Sequence, residues 1–306
     1  MISDRHLGPA VGHGLAAFGL AAGLALLPMP AAALTITTVT SGDASAQLIP
    51  SLLAPGSGIS VDPGSATYQG SLAVGQSGLY TGFILAPSSG SGPTLVLPDG
   101  IVLTSGTANL PQTNTVNQFN PATPGTGGNA LLSTLTGASI NDANALGFSF
   151  TVASGNSVQA QFVFGTDEFP TQTVTDIFGF FVDGVNYAQF PGGELISNTP
   201  GNPTNFIPNP VATDLYGIEY NGLTQVFTVT GLLNPALSTH TIVIALADTN
   251  DSIYDSGVFI GGLTTRTTTD PGGIGPSDVP EPTTLSVLGL GLLGLGFVRR
   301  RRQRAR

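Results

Sequence analysis

The chain has 306 residues, a formal net charge of −10, no cysteine and only 8% charged residues. The lack of cysteine excludes disulfides, thiol catalysis and cysteine-based zinc sites. The negative charge repels nucleic acid, and no nucleic-acid partner is expected. Abundant Gly and Pro with few Glu, Lys and Arg is typical of an extracellular all-β protein rich in turns.

The first 33 residues have the organisation of a secretory signal peptide. Arg5 and His6 form a weakly basic start, and residues 15–27 are an apolar run of mostly Ala, Gly and Leu. Ala31 and Ala33 then supply an Ala-x-Ala cleavage site. We predict that signal peptidase cuts after Ala33 and that residues 1–33 are absent from the mature protein.

Residues 34–266 carry a succession of predicted β-strands. Two long polar segments, 111–129 and 191–210, are predicted loops, and 46–53 is the only helical candidate, which Pro50 would interrupt. Asx-Gly pairs at 99–100, 183–184 and 221–222 predict hairpin turns. The predicted strands are 34–40, 94–97, 101–104, 145–152, 157–164, 177–182, 185–187, 218–220, 223–229, 241–247 and 258–263. The pattern predicts one all-β domain, a β-sandwich or jelly roll, followed by a Thr/Pro/Gly linker over 267–279.

The C-terminal segment 280–306 has three parts. Pro280, Glu281 and Pro282 come first, followed by the apolar run 285–298, and six of the last eight residues are Arg, including Arg299, Arg300, Arg301 and Arg302. As a helix, the apolar run would be ~21 Å long, shorter than a hydrocarbon core of ~30 Å, so it predicts a short, marginal transmembrane helix. The arginines would stay on the cytoplasmic side.

This three-part arrangement resembles the PEP-CTERM signal of Gram-negative bacteria that make extracellular polysaccharide. The resemblance implies export, transient retention in the inner membrane and cleavage near Pro-Glu-Pro by an exosortase. The mature protein would then be released to the cell surface or matrix, or attached there. A permanent C-terminal anchor is the alternative.

Removal of both ends changes the charge of the protein. Of the 18 acidic residues only Asp4 and Glu281 lie outside 34–279, and of the eight basic residues only Arg266 lies inside. The mature segment therefore has 16 acids, one base and a formal charge of −15. Carboxylates without basic partners favour divalent cations, although a generally acidic, soluble secreted protein would show the same balance.

Several motifs in the mature segment resemble the choice-of-anchor L domain of bacterial surface proteins. They are Gly-Ile-Val-Leu-Thr-Ser-Gly at 100–106, Phe-Gly-Thr-Asp-Glu-Phe-Pro at 164–170, Asp-Ile-Phe-Gly-Phe-Phe at 176–181, Glu-Tyr-Asn-Gly-Leu-Thr at 219–224, Ala-Leu-Ala-Asp at 245–248 and Asp-Ser-Ile-Tyr-Asp-Ser-Gly-Val-Phe-Ile at 251–260. The resemblance covers about residues 45 to 263. It implies secretion and surface display, with no enzyme activity and no defined ligand.

Six carboxylates stand where predicted strands begin or end: Asp167, Glu168, Asp176, Asp248, Asp251 and Asp255. Strands of a sandwich end at common rims, so these side chains are candidates to converge on a calcium ion, the cation that oxygen ligands favour. Residues 248–252 superficially resemble an EF-hand loop, but Ile253 and Phe259 occupy the positions of its required Gly and Glu. The alternative is that these acids cap turns by accepting backbone N–H bonds.

We therefore predict a non-enzymatic protein of the cell surface or extracellular matrix, with a structural or biofilm role among exopolysaccharide. One alternative is a calcium-dependent adhesion module that binds glycans or a partner protein. A weaker alternative is a glycoside hydrolase that pairs Asp167 or Glu168 with Asp248 or Asp255. His240, the single histidine of the mature segment, adjoins a predicted strand and is expected to be structural or exposed.

Overall fold

The computed structural model describes residues 33–90, 92–170, 176–197 and 203–276, all of which belong to one compact unit. The predicted signal peptide, apart from Ala33, and the predicted sorting segment with its transmembrane helix lie outside these residues. Within the described ranges, no helix combines the length and apolar character needed to cross a membrane.

Short helices and many strands make up the described chain, as predicted for an all-β protein. The elements are β1 (Thr35–Thr38), α1 (Ala44–Leu52), β2 (Ile59–Val61), β3 (Thr67–Gln69), β4 (Ser77–Thr81), β5 (Ile84–Leu85), β6 (Leu95–Val96), β7 (Gly100–Thr104), α2 (Ala130–Thr136), β8 (Ile140–Val152), β9 (Ser157–Thr166), β10 (Ile177–Val182), β11 (Val185–Asn186), a 3₁₀ turn (Pro203–Asn205), β12 (Phe206–Pro208), β13 (Gly222–Thr224), β14 (Phe227–Leu232), β15 (His240–Thr249), β16 (Ser256–Arg266) and β17 (Gly273–Pro276).

The strands form two large antiparallel sheets. The first has nine strands in the order β1-β4-β7-β16-β9-β13-β12, with β14 paired to β9 and β17 paired to β14. The second has six strands in the order β11-β10-β15-β8-β2, with β3 also paired to β8. A two-stranded ribbon joins β5 and β6.

The two sheets share one apolar core. On β9, Val158, Ala160, Phe162 and Phe164 are buried, as their period-two alternation predicts. Phe178 of β10, in the other sheet, lies against Phe162 with ring centroids 5.1 Å apart. Each buried ring contributes about 1.5–3 kcal/mol through removal from water, and this packing fixes the strand ends of one sheet against those of the other.

Helix α1 continues through Pro50 to Leu52, so the predicted interruption is wrong. The proline removes one intrahelical hydrogen bond, but Leu48, Ile49 and Leu52 are buried in the core, which compensates. Helix α2 was not predicted. It begins at the N-cap Asn129, whose side chain accepts hydrogen bonds from two backbone amides, and seven residues are too few for a clear helical periodicity.

Only one of the three predicted hairpin turns is present. Asp183 and Gly184 join β10 to β11, which pair directly. The turn at 99–100 separates β6, which pairs with β5, from β7, which pairs with β4 and β16. Before the third pair, at 221–222, the carbonyl oxygens of residues 216, 218 and 220 accept hydrogen bonds from the Asn209 side-chain amide. Because these carbonyls bond to a side chain and not to a neighbouring strand, the predicted strand 218–220 does not form.

The predicted linker 267–279 contains strand β17. Its residues pair with β14 from Phe227↔Pro276 to Thr230↔Gly273. The first sheet therefore extends to within a few residues of Pro280, and the segment between sheet and sorting signal is shorter than the composition indicated.

Candidate cation-binding site

All six predicted carboxylates lie at the same end of the two sheets. Asp167 and Glu168 follow the last residue of β9, and Asp255 precedes the first residue of β16, which pairs with it (Thr166↔Ser256). Asp176 precedes β10, whose first residue pairs with Ala247 near the end of β15. Antiparallel neighbours thus bring strand ends from both sheets together. We call this group, with Asp142 at the start of β8, the acidic rim.

The central carboxylates of the acidic rim are buried and have no hydrogen-bond partner among the described residues. Asp176 has no exposed surface and Glu168 is 1% exposed, yet no N–H or O–H of the described residues forms an ordinary hydrogen bond to either carboxylate. Asp176 lies close enough to the Asp248 carboxyl for the two to share a proton. One oxygen each in Asp142, Asp167, Asp248, Asp251 and Asp255 is also buried without a partner. Because a buried charge without a partner is costly, this group requires protons or a cation.

Two acidic residues elsewhere in the domain accept several hydrogen bonds each, as expected of carboxylates that cap turns. Glu219 is fully buried and accepts hydrogen bonds from Thr115 N, Thr115 Oγ1 and Val116 N at 2.6–3.0 Å. Asp183 accepts from Asn234 N, Thr241 N and the His240 ring. Within the acidic rim, Asp167 also has one such bond, from Asn221 N to Oδ1, but Glu168 and Asp176 have none.

Burial is the main cause that raises the pKa of these carboxyls, and mutual repulsion adds to it. It raises the pKa of Glu168 to about 9, with Asp251, Asp248 and Asp167 as the repelling charges. The pKa values of Asp167 and Asp255 rise to about 8 and that of Asp248 to about 7. Burial and the charges of Asp248 and Glu168 raise the pKa of Asp176 well above its ordinary range.

No basic side chain of the described residues neutralises the acidic rim. Among the described residues the only Arg or Lys is Arg266, at the far end of β16 from Asp255. His240 is buried and pairs with Asp183, Nδ1 to Oδ2 at 2.8 Å. The histidine thus has a structural partner in the β10–β11 turn, which is the opposite end of β10 from Asp176.

Neutral oxygen atoms lie beside the carboxylates. Burial and the nearby Asp255 and Asp167 charges raise the pKa of the Tyr220 hydroxyl, which has no hydrogen-bond partner among the described residues. Ser256 Oγ is likewise buried and lies near Asp176, whose pKa it lowers. Gly106 makes room for Asp255, since a Cβ there would lie 1.6 Å from Asp255 Oδ2.

The present side-chain positions do not form a finished coordination shell. Across the described ranges, no three Asp, Glu or His side chains are arranged so that they could hold one metal ion as they stand. An ion at the acidic rim would therefore require carboxylates to rotate toward one another.

The sequence of the described domain matches a known family over most of its length. The choice-of-anchor L domain matches residues 35–264. The chain belongs to the choice-of-anchor L family. Residues 278–302 match the PEP-CTERM protein-sorting motif, which marks an exported, surface-associated protein processed by exosortase. Comparison with curated proteins and with solved structures gave no match.

A surface cavity gives this choice-of-anchor L domain an opening beside the acidic rim. It has a volume of about 520 Å³, and its lining includes Asp167, Asn221, Phe169 and Asn117. Asn221 donates from its backbone to Asp167 Oδ1, which leaves Oδ2 as the oxygen without a partner. Asp167 is thus the carboxylate that belongs both to the buried group and to a cavity.

Two contributors to the acidic rim were missed from the sequence. Asp142 lies in β8, which begins at Ile140, five residues before the predicted strand, in a stretch (130–144) for which no element is predicted. Asp142 has a positive φ of 48°, and its charge raises the pKa of Asp248 and Asp255. Tyr220 was predicted to lie in a strand, and its sequence context gave no signal that its hydroxyl is near carboxylates.

Proposed function

We propose that this protein is a non-enzymatic structural component of the cell surface or extracellular matrix, held among exopolysaccharide, and that a calcium ion completes the acidic rim of its domain. The single observation that carries the calcium proposal is the pair Glu168 and Asp176, both buried, with no hydrogen-bond partner among the described residues. The sorting motif at 278–302 supports the location.

A cation fits this group better than retained protons do. Protonation lets Asp176 share a hydrogen bond with Asp248, but neither oxygen of Glu168 has a partner among the described residues. A divalent ion removes the repulsion among Glu168, Asp248 and Asp251 in one step. Neutral oxygens at Tyr220 and Ser256 are available to complete a shell.

Calcium is the expected ion because every side chain at the acidic rim offers oxygen. Ca²⁺ takes six to eight oxygen ligands in flexible geometry, whereas Mg²⁺ demands a near-ideal octahedron and releases its water reluctantly. Zn²⁺ prefers sulfur and imidazole nitrogen, and the rim holds neither Cys nor His. Because the carboxylates come from the ends of several strands in both sheets, the ion would tie the two sheets together.

The burial of the rim supports a structural rather than a catalytic role. A hydrolase needs one carboxyl to protonate the glycosidic oxygen and a second on the other side of the sugar. Glu168 and Asp255 are 1% and 2% exposed, so a polysaccharide has no access to both. We therefore propose no hydrolase activity for this domain, and an assay for reducing sugar released from polysaccharides would detect one.

Calcium titration of the processed protein, purified from cells that export it and stripped with EDTA, tests the proposal. We expect a saturable binding heat and a rise in Tm, since a ligand that binds only the folded state stabilises it in proportion to log concentration above Kd. Glu168→Gln and Asp176→Asn should weaken or abolish the heat. Asp62→Asn is the matched control and should bind calcium as the parent does. Asp62 follows β2, which pairs with the end of β8 that is distant from the acidic rim.

The calcium proposal fails if the titration shows no heat and EDTA leaves Tm unchanged. It also fails if Asp62→Asn reduces the heat as much as Asp176→Asn does, because binding would then be a diffuse property of the acidic surface.

A further inference from the structure

A second feature, separate from the acidic rim, is a polar groove on the outer face of the first sheet. Its cavity has a volume of about 710 Å³ and is lined by residues of β9, β14, β16 and β17. Gln159 and Gln161 are half-exposed on β9 and alternate with the buried residues of the core face. The groove lies at the start of β9, whereas Asp167 follows its end, so the two sites are about 20 Å apart along the strand.

The floor of the polar groove is a regular array of amides and hydroxyls. Gln161 is directly opposite Thr228, and Gln159 is directly opposite Thr230; Gln159 Nε2 donates to Thr230 Oγ1 at 3.1 Å. Neighbouring strands are about 4.8 Å apart and successive outward residues about 6.8 Å apart. The floor therefore presents hydrogen-bond donors and acceptors in a regular, accessible array.

One side of the polar groove is formed by glycines and therefore has no side chains that project into it. Gly273 and Gly275 of β17 are paired with Thr230 and Thr228, and a Cβ built on either would meet no atom of the described residues within 4 Å. Gly275 also has a φ outside the left-handed region, so a side chain there is compatible with the backbone. The fold does not require glycine at position 275, and the space above Gly275 is large enough for part of a ligand.

The groove contains the only Arg or Lys among the described residues. Arg266 lines the cavity and forms no ion pair with any described residue, although Asp270 lines the same cavity. In a mature segment with 16 acids, the one guanidinium lies where a polar array is accessible. A guanidinium binds a carboxylate in bidentate fashion, which gives the groove a preference for a ligand that carries one.

We infer that the polar groove binds a polysaccharide strand that contains uronic acid residues, with Arg266 on a sugar carboxylate and the Gln159, Gln161 and Thr230 side chains on sugar hydroxyls. The inference names the partner in the proposed association with exopolysaccharide and rests on that part of the proposed function. It does not depend on calcium. The overall negative charge does not prevent binding of short fragments, because charges beyond about 8 Å are screened at physiological ionic strength.

Binding of short oligogalacturonate and alginate fragments by the processed protein, in EDTA so that calcium cannot bridge carboxylates, tests the inference. We expect saturable binding of the uronate fragments and at least tenfold weaker binding of neutral dextran fragments. Gly275→Leu, which fills the groove, should abolish binding. Arg266→Gln should weaken uronate binding about tenfold, the effect of losing one charge-assisted hydrogen bond.

The matched control is Ser60→Leu, which adds the same side chain at an exposed position of β2 in the other sheet, and it should bind as the parent does. Tm and calcium heat report whether each variant is folded. Uronate binding that survives Gly275→Leu overturns the groove. Equal binding of dextran, unchanged by Arg266→Gln, overturns the uronate assignment. If calcium binding gives heat while no uronate fragment binds, the groove inference fails and the calcium proposal stands. If uronate fragments bind while calcium gives no heat, the calcium proposal fails and the groove inference stands.

Discussion

Two buried glutamates show how differently this fold treats the same side chain. Glu219 and Glu168 are at most 1% exposed. Glu219 accepts hydrogen bonds from two backbone amides and one hydroxyl, whereas Glu168 accepts none from the described residues. The hydrogen bonds of Glu219 therefore stabilise the folded state, whereas a charged Glu168 destabilises it in the absence of a proton or a cation.

Glu168→Gln should make the metal-free protein more stable. The substitution removes a group that repels Asp248 and Asp251, and the amide supplies a donor to neighbouring carboxylates. We expect a rise of about 1 kcal/mol in the free energy of unfolding in EDTA, which is a Tm shift of roughly 2–4 °C for a domain of this size. Thermal unfolding at pH 8 with EDTA measures this shift. When calcium is added, the Tm of the variant should rise much less than the Tm of the parent.

Glu219→Gln is the matched comparison and should have the opposite sign. It weakens charge-assisted hydrogen bonds to the 115–116 segment, each worth about 1.5–3 kcal/mol, so Tm should fall both with calcium and with EDTA. If Glu168→Gln also lowers Tm in EDTA, Glu168 is a satisfied side chain and the interpretation of the acidic rim is wrong.

At the scale of elements, the β10–β11 hairpin depends on Asp183. This residue adopts a positive φ of 50° at the turn and accepts bonds from Asn234 N, Thr241 N and His240 Nδ1. Burial alone would raise its pKa, but these bonds outweigh burial and lower the pKa. The turn thus connects β10, β11 and β15 through one carboxylate.

Asp183→Ala should cost about 3 kcal/mol, because it leaves two backbone amides and a buried imidazole without their acceptor. Urea unfolding measures the change, with Asp62→Asn as the control. Since the folded-state pKa of Asp183 is below its unfolded value, its contribution is present above the unfolded pKa and is lost as pH falls. The difference in stability between parent and variant should therefore shrink below about pH 4. A difference that grows toward acid pH would contradict this role.

The sequence predicted the elements whose signals are local and repeated. Alternation on β9, the continuous apolar run of β15 and the Asp183–Gly184 turn are all properties of neighbouring residues. The placement of six carboxylates at one end of the sheets followed from one further fact, that strands of neighbouring sheets share their ends. No local signal distinguishes Asp99–Gly100 from a hairpin, because the pairing of β7 with β4 and β16 is decided by distant segments.

The remaining features depended on long-range contacts. Asn209 holds residues 216–220 through four side-chain hydrogen bonds, and nothing near position 209 indicates this. Strand β17 pairs across the sheet from a Gly/Pro-rich segment that resembles a linker in composition. The opposite treatment of Glu168 and Glu219 also depends on loops far away in sequence, since the donors to Glu219 come from residues 115 and 116.

At the scale of the whole molecule, the acidic rim should give the metal-free protein an unusual pH dependence. Asp167, Glu168, Asp248 and Asp255 have folded-state pKa values raised to about 7–9, above the unfolded values near 4. The folded state then holds more protons than the unfolded state. The stability that these groups contribute is fully present below about pH 4 and is lost as pH rises through the folded-state values.

We therefore expect Tm in EDTA to fall by several degrees between pH 6 and pH 9, measured by thermal unfolding in buffers of constant ionic strength. Calcium replaces the protons, so its addition should flatten this fall, and the gain in Tm from calcium should grow with pH. A Tm in EDTA that rises between pH 6 and pH 9 would mean that the rim carboxylates are not protonated in the folded state.

On the calcium proposal, the domain is completed after export. A marginally stable group of carboxylates joins strand ends from both sheets, and the exterior of a cell offers calcium at concentrations that the cytoplasm does not. The sorting motif at 278–302 places the protein in that environment. The proposed calcium requirement of the domain is therefore consistent with its location outside the cell.

A crystal structure of the processed protein grown with calcium tests the central claim most directly. We expect an ion within 2.3–2.6 Å of carboxylate oxygens from Glu168, Asp176 and Asp248, confirmed by its anomalous signal, with these side chains rotated toward it. Well-defined density that shows only water, with the carboxyl groups hydrogen-bonded in protonated pairs, would contradict the claim.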